Sequence, residues 1–225
     1  MRCLMTDIFA YLRNNSYPGR GIIIGSYSNE PVIAYFIMGR STNSRNRIFV
    51  KDNDILYTKA YDESLVSDPS LIIYNAVREY HGNTIVTNGN QTDTIYEYLA
   101  AGKTFRQALE TREYEPDEPN FTPRISAVIH DDLSYDISIL KKQDESCRRL
   151  FYRYQPVEKT AHFISTYDHD GNPLLSFSSE PLELAVDQEF EEFTTELWQS
   201  LNENNRISLY VRFGNQETII NRNKE

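Results

Sequence analysis

Two stretches that are apolar at every position constrain this chain most. They are Gly21-Ile22-Ile23-Ile24-Gly25 and Val32-Ile33-Ala34-Tyr35-Phe36-Ile37-Met38. A β-strand sends alternate side chains to opposite faces, so a run with no polar alternate must bury both. Both runs therefore read as central strands covered on each side, with Ser28-Asn29-Glu30 as the turn between them.

Further strands are expected at 71–80, 84–87, 124–129, 135–141, 149–154, 162–167, 206–213 and 217–221. Gly82-Asn83, Asp170-Gly171 and Gly214-Asn215 supply tight turns. Thr92 or Asp93 caps a helix over 94–101 that Gly102 stops, and Thr104 with Gln107 makes a capping box for a helix to Arg112. Val186, Phe190, Phe193, Leu197 and Leu201 recur at spacings of three and four, which predicts an amphipathic helix with an acidic outer face. Strands buried on both faces need cover, so the expected architecture is α+β, a layered αββα sandwich over 1–225 as one domain.

The net charge of −10 argues against a general nucleic-acid binder, which needs a basic face. The acid concentrates in 110–118 and 180–203, whereas 20–47 is strongly basic. A local basic patch on an acidic protein fits a small anionic ligand. No apolar run reaches the ~18 residues that span a bilayer. The first residues lack a signal-peptide pattern and the two cysteines, Cys3 and Cys147, suggest no disulfide framework, so a reducing cytoplasm is expected.

Five polar blocks close or follow apolar runs. They are Tyr17-Pro18-Gly19-Arg20-Gly21, the loop from Gly39 to Arg47, Tyr74-Asn75-Ala76-Val77-Arg78, Thr87 to Thr94, and Asn120-Phe121-Thr122-Pro123-Arg124. Strand ends and loop starts are where a scaffold presents chemistry. Arg40, Arg45 and Arg47, interleaved with Ser41, Asn43, Ser44 and Asn46, can grip a phosphate through guanidinium and hydroxyl donors. The competing explanation is a solvated loop paired with surface glutamates. A tyrosine hydroxyl among arginines, as at Tyr74, makes a usable general acid or base; a satisfied core tyrosine is the plain alternative. Asn88, Thr92 and Asp93 can hydrogen-bond a base or ribose, or serve only as a turn and helix cap. Glu113, Glu115, Asp117 and Glu118 form a solvated acidic loop in which closeness to the 119–124 segment makes one a candidate site carboxylate. The four histidines lack ligand spacing, so no metal is expected, and no phosphate-cradling glycine loop or Gly-x-Ser-x-Gly elbow is present.

In order and spacing these blocks resemble the IMP cyclohydrolase family of the archaeal type, including its bacterial relatives. The resemblance rests on Tyr17 to Gly21, Ala34-Tyr35 to Arg47, Ile73-Tyr74-Asn75, Thr87 to Ile95 and Thr122-Pro123-Arg124-Ile125, with a weaker extension through Ile164-Ser165-Thr166-Tyr167. It implies a fold like the N-terminal-nucleophile hydrolases without a processed nucleophile. The implied activity is closure of 5-formamidoimidazole-4-carboxamide ribotide to inosine monophosphate with loss of water, in purine biosynthesis, without metal or organic cofactor. It implies Arg47, Tyr74 and Glu118 as the catalytic group, with Arg45 and Asp117 as alternative matches to Arg47 and Glu118. Arg20, Arg40 and Arg45 would hold the phosphate, and Asn75, Asn88, Thr92, Asp93 and Arg124 would orient base and ribose. The small-molecule ribotide would be the partner, with no nucleic acid or membrane, in a homo-oligomer. Residues 1–16 have no counterpart and could form a helix at a subunit contact. An amidohydrolase of the same fold and a non-catalytic ribotide-binding module are the competing functions.

Overall fold

The computed structural model describes residues 5–66 and 73–224. Strands β1 (Arg20–Tyr27) and β2 (Glu30–Met38) form the expected hairpin, and Ser28 and Asn29 take positive φ at its turn. Alternation explains their composition. Ile22, Ile24, Ile33, Tyr35 and Ile37 face one core, while Ile23, Val32, Ala34, Phe36 and Met38 face another.

The remaining strands are β3 (Arg47–Asp52), β4 (Ile55–Ala60), β5 (Asn75–Tyr80), β6 (Asn83–Thr87), β7 (Arg124–Ile129), β8 (Tyr135–Gln143), β9 (Ser146–Tyr154), β10 (Thr160–Ser165), β11 (Leu182–Ala185), β12 (Arg206–Phe213) and β13 (Gln216–Asn221). They make two antiparallel sheets. One runs β11-β10-β1-β2-β12-β13 and the other runs β3 to β9 in chain order. The sheets face each other across the first core, to which the second contributes Phe49, Val86, Ile125, Ala127 and Ile137.

Helices cover the outer faces. Helices α1 (Ile8–Arg13) and α5 (Phe190–Ser200) pack Ile8, Leu12, Phe193 and Leu197 against the six-stranded sheet. On the seven-stranded sheet, α3 (Gln91–Ala100) and α4 (Phe105–Glu110) place Ile95, Phe105, Ala108 and Leu109 against Ile85 and Val128. A one-turn helix, α2 (Thr42–Arg45), lies in the arginine loop. The result is an α+β sandwich with two central sheets. None of the described helices is long and apolar enough to cross a membrane.

Several details differ from the sequence reading. No strand is expected over 47–60, yet β3 and β4 occupy it and turn at Asn53, whose φ is 51°. Helix α3 begins at Gln91 after Asn90, ahead of the expected caps. Val186 lies outside α5, because β11 ends just before it, at Ala185. Part of the expected strand at 71–80, and Cys3, lie outside the described residues.

Candidate active site

Where the two sheets meet at one end, a polar cavity of about 250 Å³ opens. Tyr17, Gly19, Arg20, Met38 and Arg40 line it along with Ser41, Ser44 and Arg47. Asp117, Asn120, Thr122, Thr166, Tyr167 and Leu174 complete the wall. Strand parity explains Arg20: it shares the inter-sheet face of β1 with Ile22 and Ile24 but sits at the strand's first position, where the apolar core ends.

Arg47 opens β3 and is only 2% exposed. Its Nε donates to Ser44 O at 2.8 Å and Nη2 reaches Met38 O at 3.4 Å. Nη1 is buried and finds no acceptor among the described residues. Leaving a buried donor unpaired costs about 1–3 kcal/mol, more for a charged group. Burial first, then Arg20, hold the Arg47 guanidinium below its usual range.

Arg20 donates to Glu115 Oε1 at 3.0 Å, and Glu115 is 2% exposed. Burial opposes the Arg20 charge, but Glu115 and the hydroxyls of Tyr74, Tyr35 and Tyr167 hold it well above its usual value. Burial pushes the Glu115 carboxyl up, while Arg20 and Arg124 pull back. The loop folds inward through Glu115 N–H donating to Thr122 O at 2.9 Å. Gly89 makes room: a β-carbon there would lie 2.5 Å from Arg124 Nη1 and 3.5 Å from Glu115 Oε1.

Tyr74 precedes β5, is 5% exposed, and its hydroxyl lies 2.7 Å from that of Tyr35. Tyr74, Tyr35 and Glu115 are not in the cavity wall; they form a buried polar layer around the two arginines that are. Burial first, then Tyr74, hold the Tyr35 phenol well above its ordinary value.

Arg40 is exposed and pairs with Asp170 at 2.6 Å, its guanidinium 4.7 Å from the Tyr17 ring centroid. An exposed pair contributes about 0–1 kcal/mol, so Arg40 is free to exchange this partner for a phosphate, whereas Arg20, half-buried and paired with buried Glu115, is not.

The other sequence-derived residues fall elsewhere. Arg45 is exposed and ties its own loop through Gly39 O at 3.0 Å. Glu118 is exposed and outside the cavity wall, and Glu115 is the buried carboxylate of the cluster. Asn88 is fully buried, accepting from Ile125 N–H at 2.9 Å and donating to Pro123 O at 2.8 Å. Thr92 is bound to Thr87 at 2.7 Å. Asn75 and Arg78 both donate to Asp93, at 2.9 and 2.6 Å, on the helix-covered side of the sheet. Arg124 donates to Gln91 at 2.8 Å and lies near Glu115. Thus Arg20, Arg40 and Arg47 meet in the cavity, and Tyr74 and Arg124 border its buried layer. Arg45, Asn75, Asn88, Thr92, Asp93 and Glu118 do not line it. Tyr35 and Tyr167 carry no site signal in the sequence, since Tyr35 sits inside an apolar run and Tyr167 at the end of an expected strand. Only their placement in the fold sets Tyr167 in the cavity wall and Tyr35 in the layer behind it.

A family model described as IMP cyclohydrolase-like protein matches residues 17–218, which spans every element that builds this cavity. The chain belongs to the IMP cyclohydrolase-like family. Among relatives of this family member, an IMP cyclohydrolase of Methanococcus maripaludis strain C7 is 30% identical over 161 residues, 66% of this chain and 79% of that one. One from Methanococcus aeolicus is 26% identical over 157 residues, covering 68% and 74%. One from Methanocaldococcus jannaschii is 30% identical over 122 residues, covering 53% and 59%. The IMP cyclohydrolase-like match begins at Tyr17, just ahead of β1, and leaves α1 outside it.

Proposed function

We propose that this protein is an IMP cyclohydrolase that closes 5-formamidoimidazole-4-carboxamide ribotide to inosine monophosphate and releases water. The observation that carries the assignment is Arg47: a buried guanidinium with a spare donor, at a cavity that two further arginines line. The names of the relatives agree with it.

The carboxamide nitrogen attacks the formyl carbon. A carbon–nitrogen bond forms, the formyl oxygen becomes an oxyanion, and the nitrogen must shed a proton. The former formyl oxygen then takes protons and departs as water. Both reacting groups sit on one imidazole, so holding the rotamer supplies much of the acceleration. The carboxamide nitrogen is a weak nucleophile, so charge stabilisation at the oxyanion matters most. Arg47 Nη1 takes that task. Tyr74, in the layer behind it, shares the developing charge through its hydroxyl. Glu115 replaces Glu118 in the proton-handling role, acting from behind the cavity wall through its bond to Arg20, and burial pushes its carboxyl up, which favours holding a proton. Arg40, with Ser41 and Ser44 beside it, grips the 5′-phosphate.

The two sheets between helices support a likeness to the N-terminal-nucleophile hydrolases, and the chemistry proposed needs no processed nucleophile. A cytoplasmic homo-oligomer in which 1–225 acts as one domain accompanies this assignment.

The test is an absorbance assay of purified protein with the formamido ribotide in EDTA, against spontaneous cyclisation. Inosine monophosphate should form above the blank, and Arg47→Ala should lower kcat by about 10²–10³-fold. A folded protein without turnover on this ribotide removes the assignment.

A further inference from the structure

Tyr74 owes its orientation to a β-bulge. Strands β4 and β5 pair Leu56 with Val77 but Tyr57 with Asn75, so Ala76 is an extra residue on β5. Alternation shows what that residue does. Val77 packs in the inter-sheet core, and Glu79 reaches Arg212 on β12 of the other sheet. A period of two would send Asn75 to that same face and Tyr74 to the helix-covered one. The bulge reverses both. Ala76 joins Val77 in the inter-sheet core, Asn75 turns out to Asp93 on α3, and Tyr74 turns in to meet Tyr35.

Two ties hold the bulge. On the inter-sheet face, fully buried Thr58 of β4 engages both backbone groups of Tyr74. Its N–H donates to Tyr74 O at 2.9 Å, and its hydroxyl donates to the same oxygen at 3.3 Å. In return, Tyr74 N–H donates to Thr58 Oγ1 at 3.0 Å, a bond that a regular antiparallel pair makes to a backbone carbonyl. The Thr58 hydroxyl thus stands in for the ladder where the bulge has shifted it. On the outer face, Asn75 Nδ2 donates to both oxygens of Asp93, at 2.9 and 3.2 Å.

We propose that Thr58 and Asn75 are positioning residues for the ring closure, holding from its two faces the bulge that aims the Tyr74 hydroxyl into the layer behind Arg47. This rests on the cyclohydrolase assignment above and on the part it gives Tyr74. Neither side chain is in the cavity wall. One extra residue in a strand re-aims a side chain, and bulges are common beside active sites for that reason. Without a tie, the backbone at 74–76 relaxes toward regular pairing, which swings Tyr74 away from Tyr35 and Arg47. A displacement of about 1 Å is enough to cost rate, while the arginines that would grip the ribotide stay where they are. The loss therefore falls on kcat and spares KM, unlike that of a residue touching base or ribose.

Steady-state kinetics on the formamido ribotide test the ties. Thr58→Val keeps the shape but cannot accept the Tyr74 N–H; it should lower kcat by about 10–10²-fold with KM within about twofold. Thr58→Ser keeps the hydroxyl and should stay within about threefold of wild type. Asn75→Ala, on the half-buried outer face, should lower kcat by about 3–10-fold, again with little change in KM. Made in Tyr74→Phe, either change should cost less than about twofold, because the group it aims is gone. A tie is overturned if its folded variant keeps the wild-type kcat, or loses as much in Tyr74→Phe as in wild type, which is what a merely structural role would give. Should Thr58→Val not fold, Asn75→Ala and its cycle with Tyr74→Phe decide. Turnover lost in Tyr74→Phe but not in the tie variants overturns the ties alone. Turnover that Tyr74→Phe leaves intact overturns the role of Tyr74 and the ties with it; absence of turnover by the wild type overturns the cyclohydrolase assignment itself.

Discussion

Four acidic side chains crowd 113–118, and the fold buries one of them, Glu115. Sequence shows the cluster but not the choice, because the choice depends on a loop that turns back through Thr122 and on Gly89 leaving space beneath it. The polar residues of the Thr87–Thr94 block pose the opposite problem. Asn88 and Thr92 look like ligand contacts, yet buried backbone at a strand end needs partners, and they supply them. Of the arginines, the sequence leaves Arg45 and Arg47 as alternatives; the fold exposes Arg45 and buries Arg47 at the start of β3, and burying a charge is costly. The carboxylates give a direct comparison. Glu115→Gln should lower kcat by about 10²-fold. Glu118→Gln, a surface change of ~0.5 kcal/mol or less, should leave it within about twofold. The acid limb of the wild-type kcat/KM profile should lie above the ordinary carboxylate range, since Glu115 is raised, and should vanish in Glu115→Gln. Equal effects of the two variants would remove Glu115 from the proposed role.

At the level of elements, β1, β2 and β7 were legible because every position after the charged first residue of each (Arg20, Glu30 and Arg124) is apolar or small, so both faces must be buried. The Thr104–Gln107 capping box was legible for the same local reason and forms as expected. β3 and β4 were not, because charged residues bracket them and their last outward positions are solvated. Their signal was Asn53, flanked by aspartates, in the left-handed conformation that asparagine tolerates. What holds the site-bearing ends together is Asn88, which joins the end of β6 to the start of β7 and to Gln91 at the head of α3. Asn88→Ala would strand the Ile125 N–H and the Pro123 carbonyl in the interior. A loss of about 3 kcal/mol is expected, as two buried groups lose partners, visible as a lower urea midpoint with an unchanged slope. A midpoint equal to wild type would show that the clamp contributes nothing.

For the molecule as a whole, a titratable cluster in the inter-sheet layer, apart from the cavity, sets an acid limit on stability. His162, on β10, is buried, stacks on Tyr154 with centroids 3.6 Å apart, and shares a hydrogen bond of 2.7 Å with the Tyr135 hydroxyl. Glu183 is its cross-strand neighbour, and Glu180 lies near Tyr154. Burial lowers the imidazole to about 4, against 6.5 for an unperturbed histidine. Between those values the unfolded chain holds a proton that the folded chain refuses, so stability rises with pH through that window and is complete above about 6.5. Glu115 works the other way. Its raised carboxyl favours the protonated fold, and that contribution fades as pH rises through its folded value. A difference measurement separates the two. His162→Gln keeps an acceptor for Tyr135 but cannot titrate. From pH 7 to pH 4.5 the wild type should lose roughly 2 kcal/mol more unfolding free energy in urea than His162→Gln does, out of a stability that for most domains totals only ~5–15 kcal/mol. Parallel losses in the two proteins would mean that the fold does not hold His162 neutral, and the acid limit would then belong to the carboxylates.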